Sequence, residues 1–171
     1  MNIAIINTTG KILTENNFNI NKVNIINTKT LDIKYCTGCF ECWAKTPGLC
    51  VQKDEMPKIL QTMMNSDLTI FVTDVQVGFV SSELKKILDK TLPLIHPYFD
   101  VLHGEVHHKA RYDSYPELAL VLIDNREVND QVLDIIQKWY TRLSHNMMTS
   151  VKFVIKDDML LGGLNNEISN Y

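Results

Sequence analysis

Five short apolar runs, separated by stretches with helical spacing, constrain this chain more than any other feature. The runs are Asn2 to Ile6, Val23 to Ile26, Leu68 to Thr73, Leu118 to Ile123 and Val151 to Ile155, each bounded by turn-forming residues. Between them, Met56 to Met64 follows an acidic start at Asp54 and Glu55, with Pro57 tolerated in the first turn. Ser81 and Ser82 cap a segment with Leu84, Ile87 and Leu88 on one face, and Asn129 caps another with Val132, Leu133, Ile136, Trp139, Tyr140 and Leu143 at helical spacing. Strands that alternate with helices need crossover connections, so the pattern predicts an α/β fold around a five-stranded parallel sheet.

Two intervals depart from the pattern. The sixteen residues from Asn7 to Lys22 leave little room for a full crossover helix. After the last run comes "KDDMLLGGLNNEISNY", whose Gly162-Gly163 pair disfavours a long helix. The first and last helices are therefore expected to be short or missing. In a sheet of order 2-1-3-4-5, right-handed crossovers place both on one side. The polar residues Asn24, Thr69, Thr73, Lys152 and Lys156 are assigned to that thinly covered side, which the tail or another chain should cap. Apolar surface left there predicts a homo-oligomer, at least a dimer.

A chain of 171 residues, 45% of them hydrophobic, can build one domain over 1-171 with its own core. The formal net charge is -3 and the Lys and Arg residues are scattered, which argues against a nucleic-acid partner. No run of about 18 apolar residues and no basic, apolar leader is present, so no membrane association is expected and the location is read as cytoplasmic.

All four cysteines fall in "CTGCFECWAKTPGLC", as Cys36, Cys39, Cys42 and Cys50. In a reducing compartment such crowding points to metal or redox chemistry more than to disulfides. Three cysteines at successive two-residue gaps, closed by a fourth, fit the compact ligand run of a [4Fe-4S] cluster. Zinc more often uses two separated pairs. Gly38 allows close backbone approach, and Pro47-Gly48 can turn the chain so that Cys50 returns to the other three. A cluster, zinc, and free or redox-active thiols all remain open. Phe40 and Trp43 are read as packing over the loop. No Ser-His-Asp order, Walker loop or H-E-x-x-H motif occurs. The carboxylates of Asp54, Glu55, Asp157 and Asp158 are read as caps and solvated turns.

The segments "YCTGCFECWAKTPGLCVQKDEMPKIL", "SDLTIFVTDVQVGFVSSELKKILDKTLPLIHP" and "GEVHHKARYDSYP" resemble the flavodoxin-like NAD(P)H-dependent FMN reductases, in particular the branch related to iron-sulfur flavoproteins. The resemblance runs from about Lys34 to Pro116 and more weakly to the end. It implies a flavodoxin-like three-layer fold, FMN held by loops at the carboxyl ends of the strands, and electron transfer to an acceptor. The phosphate loop of such proteins corresponds here to Asn7, Thr8, Thr9, Gly10 and Lys11. Its hydroxyls, amides and lysine could hold a phosphate, although a shortened helix supplies fewer free amides. The loop that touches the flavin ring corresponds to Thr73, Asp74, Val75, Gln76, Gly78 and Ser82, with Asp74, Gln76 and Val77 replacing a proline and two aromatics. In "LHGEVHHKARYDSYP" the sequence fixes no carboxylate or cysteine beside His103, His107 and His108. The resemblance makes this segment a dimer or anion contact, and the planar, two-bond fork of Arg111 makes it the candidate for phosphate. His96 and His145 are read as ordinary helix-end residues.

Two functions follow. One is an FMN-dependent oxidoreductase or electron-transfer flavoprotein that carries a [4Fe-4S] cluster. It would take electrons from a nicotinamide nucleotide and pass them to a quinone, a nitro compound or an electron-carrier protein. The other is a degenerate relative without FMN that serves as a binding or assembly subunit.

Overall fold

The computed structural model describes residues 2–18, 23–123, 128–158 and 161–170. In chain order its strands are Ile3–Asn7 (β1), Val23–Asn27 (β2), Leu68–Gln76 (β3), Phe79–Val80 (β4), Ile95–Leu102 (β5), Glu105–Ala110 (β6), Glu117–Ile123 (β7) and Val151–Asp157 (β8). Its helices are Glu41–Ala44 (α1), Met56–Met64 (α2), Ser82–Asp89 (α3), Asp130–Asn146 (α4) and Gly162–Ser169 (α5). The five predicted runs form one parallel sheet in the order β2-β1-β3-β7-β8, the predicted 2-1-3-4-5 arrangement of a flavodoxin-like fold. Every side chain of β1 is buried, as expected of a central strand covered on both faces.

Helices α2, α3 and α4 cover one face. Ile59, Met63, Leu84, Ile87, Ile136 and Tyr140 pack there against Ile6, Phe71 and Leu120. The caps read from sequence are present: Ser81 Oγ accepts from Leu84 N at 3.2 Å, and Asn129 Oδ1 accepts from Val132 N at 2.9 Å.

Leu13 and Phe18, from the short first crossover, share the opposite face with Leu161, Leu164 and Ile168 of the tail. Both short connections thus lie on one side of the sheet, and the tail is its cap. Ile3, Ile5, Leu68, Ile70, Val72, Ala119, Val121 and Ile123 are all almost fully buried beneath them. The glycine pair does not prevent an eight-residue helix here. Asp157 Oδ2 accepts from Leu164 N at 2.7 Å, and a Cβ on Gly163 would sit 3.2 Å from that oxygen. The glycine makes room for the carboxylate that caps α5, so Asp157 is a cap as read.

One assignment of faces is corrected. Thr69 and Thr73 alternate with Phe71, so they lie on the helix-covered face and are fully buried. Their hydroxyls are paired locally, Thr69 Oγ1 with Ser66 Oγ at 3.0 Å and Thr73 Oγ1 with Ser81 Oγ at 2.8 Å. Local pairing removes the penalty that made them look like surface residues.

Two hairpins accompany the parallel strands, one extending the sheet and the other forming a separate two-stranded sheet. β4 folds back on β3 through Val77 and Gly78, and β5 pairs with β6 through His103 and Gly104. All four turn residues have positive φ, the condition of the tight turn whose twist suits a hairpin. Pro97 and the polar residues within "IHPYFDVLHGEVHHKA" obscured the second hairpin, since proline demotes a strand reading.

Candidate functional site

The cysteine segment is a loop with its ends zipped together. Asp32 N donates to Glu55 Oε2 at 2.8 Å, Glu55 N to Asp32 O at 3.0 Å, and Lys34 N to Asp54 Oδ2 at 3.0 Å. Lys90, just after α3, reaches the same carboxylate and also donates to Gln52 Oε1 at 3.0 Å. The Lys90 and Asp54 side chains are 1% and 0% exposed, so this is a buried ion pair at the foot of the loop. Asp54 also accepts from Met56 N and caps α2. Its reading as a cap holds; its reading as solvated does not. Burial alone would raise the Asp54 pKa, but Lys90 and the Lys34 and Met56 amides outweigh it and hold the carboxyl below its usual value.

Inside the loop, left-handed backbone at Gly38, Phe40 and Gly48 turns the chain sharply. Trp43 pins it to the body of the protein, donating from Nε1 to Leu92 O at 2.9 Å and Ile95 O at 3.0 Å. Phe40 stacks on Trp43 at a centroid distance of 5.3 Å. Cys42 is buried, Cys50 half-buried, and Cys36 and Cys39 exposed. The Cys42 thiol is pushed up first by burial and then by the negative charge that Cys50, Cys36 and Cys39 would carry as thiolates. The fold therefore brings all four cysteines into one electrostatic neighbourhood.

The loop after β1 is built differently. Thr8 and Thr9 are buried, and their hydrogen-bonding groups are engaged within the protein. Thr8 donates from N and Oγ1 to Val72 O at 2.8 and 3.0 Å. Thr9 donates from N and Oγ1 to Asn7 Oδ1 at 3.1 and 2.8 Å, and Lys11 N donates to Thr9 Oγ1 at 3.3 Å. Asn7 Nδ2 in turn donates to Lys11 O and to Asn27 Oδ1, and the Asn27 side chain holds both the N–H and the carbonyl of Leu13. Gly10 and Lys11 are exposed, and no α-helix begins here. Tested against an FMN phosphate, the amides of Thr8, Thr9 and Lys11 are engaged within the protein, so only Gly10 and the exposed Lys11 side chain are left to meet it in this arrangement.

The candidate flavin-ring residues lie on the β3–β4 hairpin. Thr73 and Val75 are buried in it, Asp74 is half-buried, Gln76 is exposed, and Val77 at the tip is 97% exposed. Gly78 lies against Val132 of α4, and Ser82 is exposed at the start of α3. Phe79 meets Trp139 edge-on at 4.8 Å, so the hairpin is packed on α4. Arg111 stands with the cysteine loop. Its Nη2 donates to Ile95 O at 3.2 Å, and its side chain passes Gly48. Its buried Nε has no partner among the described residues. The candidate site thus divides into the cysteine loop with Arg111, and the strand ends of β1 and β3. The predicted His103-His107-His108 grouping is also divided: His108 packs on Trp43 and Phe99, whereas His107 and His103 meet His145.

Residues 6–107 match the sequence model of the NADPH-dependent FMN reductases. The chain belongs to that family. Within the family's frame, an iron-sulfur flavoprotein of Archaeoglobus fulgidus is 37% identical over 86 residues, 50% of this chain and 37% of that protein. An iron-sulfur flavoprotein of Methanocaldococcus jannaschii is 31% identical over 74 residues, 43% of this chain and 37% of that protein. The matched region thus spans little more than a third of these relatives' length. Among solved structures, the FMN-dependent NADH-azoreductase of Bacillus anthracis in complex with FMN superposes with a TM-score of 0.63 at 14% identity, covering 99% of this chain and 97% of that one. The Trp repressor binding protein of Bacillus subtilis superposes with a TM-score of 0.55 at 15% identity, covering 98% and 95%. At such identities these neighbours establish the reductase fold. Among the described residues, no helix of this family member is long and apolar enough to cross a membrane.

Proposed function

We propose that this member of the FMN reductase family is an electron-transfer oxidoreductase in which Cys36, Cys39, Cys42 and Cys50 hold a [4Fe-4S] cluster. The observation that carries the reading is the convergence of the four cysteines around buried Cys42, in a loop locked at both ends. The local likeness to iron-sulfur flavoproteins supports it. When bound, such a cluster supplies one-electron transfer. The chain's own part is to position and shield. Trp43 and the Asp54–Lys90 pair fix the loop, Phe40 stacked on Trp43 would flank a bound cluster, and exposed Cys36 and Cys39 would leave it open to a redox partner. That partner is a small-molecule acceptor or an electron-carrier protein, with a reduced nicotinamide as the source.

The closed loop after β1 favours a second reading, in which the cluster works without FMN bound through that loop. We further propose a dimer, now through the β5–β6 hairpin. Phe99, Val101 and Val106 are exposed there, whereas the sheet face is already covered.

Anaerobic purification with iron, zinc and flavin content per chain tests these readings. About four irons with flavin would support the first and about four irons without flavin the second. Zinc alone or no metal would overturn both.

A further inference from the structure

We infer that Glu105, His107 and His145 form a binding site for a single divalent transition-metal ion of the zinc class, separate from the cysteine loop. Glu105 and His107 are two apart on β6, so they point to the same face of the hairpin, the one packed on α4. His145 comes from the last turn of α4. One ligand atom from each of the three lies within 4.8 Å of the others. Ligands of tetrahedral zinc, bound at about 2.0–2.2 Å, stand about 3.4 Å apart, so side-chain rotations of about 1 Å close the set.

Three details show a built site. Among the described residues, His107 Nε2 and His145 Nδ1 are buried without a hydrogen-bond partner, a condition that buried polar groups rarely tolerate. His107 Nε2 also stands 3.4 Å from Glu105 Oε2, which places the ring nitrogen and the carboxylate side by side. The His107 ring is also oriented from behind. Asn146 Oδ1 receives the backbone N–H of His108 at 3.3 Å, which identifies that atom as the oxygen. In the neutral ring, His107 Nδ1, 3.2 Å from the same oxygen, donates to it, and Nε2 is then the acceptor nitrogen on the side of Glu105 and His145.

Arg142 fixes the carboxylate by donating from Nε and Nη2 to Glu105 Oε1 at 3.0 and 2.8 Å, which leaves Oε2 for a ligand. Two imidazoles and one carboxylate match the borderline ligand preference of zinc and its neighbours. A cavity of about 390 Å³, lined by His103, Ser144, His145 and Met148, reaches one of the three ligands. Bound there, the ion would tie the hairpin to α4.

Cobalt(II) is the probe, because its spectrum separates the two candidate sites in one protein. A histidine and carboxylate site gives weak visible bands without sulfur-to-cobalt charge transfer, which marks any ion held by the cysteines. The expected result is one such sulfur-free cobalt per chain, with affinity at least tenfold weaker in Glu105→Gln and in His145→Ala. Asn146→Ala, which removes only the orienting oxygen, should weaken binding about tenfold. Zinc should raise the melting temperature of the native protein and not that of Glu105→Gln. If His145→Ala does not fold, Glu105→Gln decides, since its side chain is 40% exposed. Cobalt bands that all carry sulfur charge transfer, or equal affinity in the native and Glu105→Gln proteins, would overturn the site.

Discussion

The cysteine loop and the loop after β1 are the two segments proposed to hold a redox group, and they are built on opposite plans. The cysteine loop satisfies its frame and leaves its chemistry open. Trp43, Asp54, Lys90 and the backbone of 32–34 are locked, while all four cysteines are free thiols. The loop after β1 closes its chemistry and has no helix behind it. Asn7 and Asn27 consume the polar groups of Thr9, Lys11 and Leu13. A buried polar group must find a partner somewhere, and whether that partner is the chain itself or a ligand separates the two loops.

The largest expected effect tests the open loop. Cys42→Ser replaces the buried sulfur with an oxygen of similar size, and iron per chain should fall from about four to near zero. Unchanged near-ultraviolet dichroism of Trp43 would show that the loop still folds. Iron retained at the native level would place the metal elsewhere.

Next is the frame. Lys90→Met leaves Asp54 buried without its counter-ion and should cost about 3–5 kcal/mol in urea unfolding. A loss below about 1 kcal/mol would show that the pair is solvated. The same pair sets an acid dependence. The folded Asp54 pKa lies below its ordinary 3.8, so its contribution is complete above that value and is lost as the pH falls from there through the folded value. Stability measured down this range should fall more steeply for the native protein than for Lys90→Met. Parallel curves would contradict the assignment.

The smallest effect tests the closed loop. Asn27→Ala removes bonds to Leu13 and to Asn7, for a loss of about 1–3 kcal/mol, with iron content unchanged. Flavin binding should hold or rise as amides are released. A fall in flavin affinity would show that the clamp itself supports the cofactor.

Much of this contrast was legible in the sequence, though unevenly. Periodicity placed the five strands of the sheet and helices α2, α3 and α4, because those elements bury one regular face each. The short first crossover was visible as a lack of residues, and the cysteine cluster as a spacing. The partners that decide each loop's chemistry come from far along the chain. Lys90 lies 36 residues from Asp54, and Asn27 lies 20 from Asn7, so nothing local marks either pair. Thr69 and Thr73 looked like surface positions because pairing with Ser66 and Ser81 appears only once the chain is folded. His145 was passed over for the same reason: its neighbours Glu105 and His107 belong to a hairpin that Pro97 obscured. Arg111 was given to the phosphate loop on chemistry alone, and its contacts lie with Gly48 and Ile95.

The account stands most directly on the electron paramagnetic resonance spectrum of the anaerobically purified, dithionite-reduced protein, recorded with iron and acid-labile sulfide per chain. It predicts a single half-integer-spin signal from a reduced [4Fe-4S] cluster, with about four irons and four sulfides. A silent spectrum with zinc, or with no metal, in the cysteine loop would contradict it.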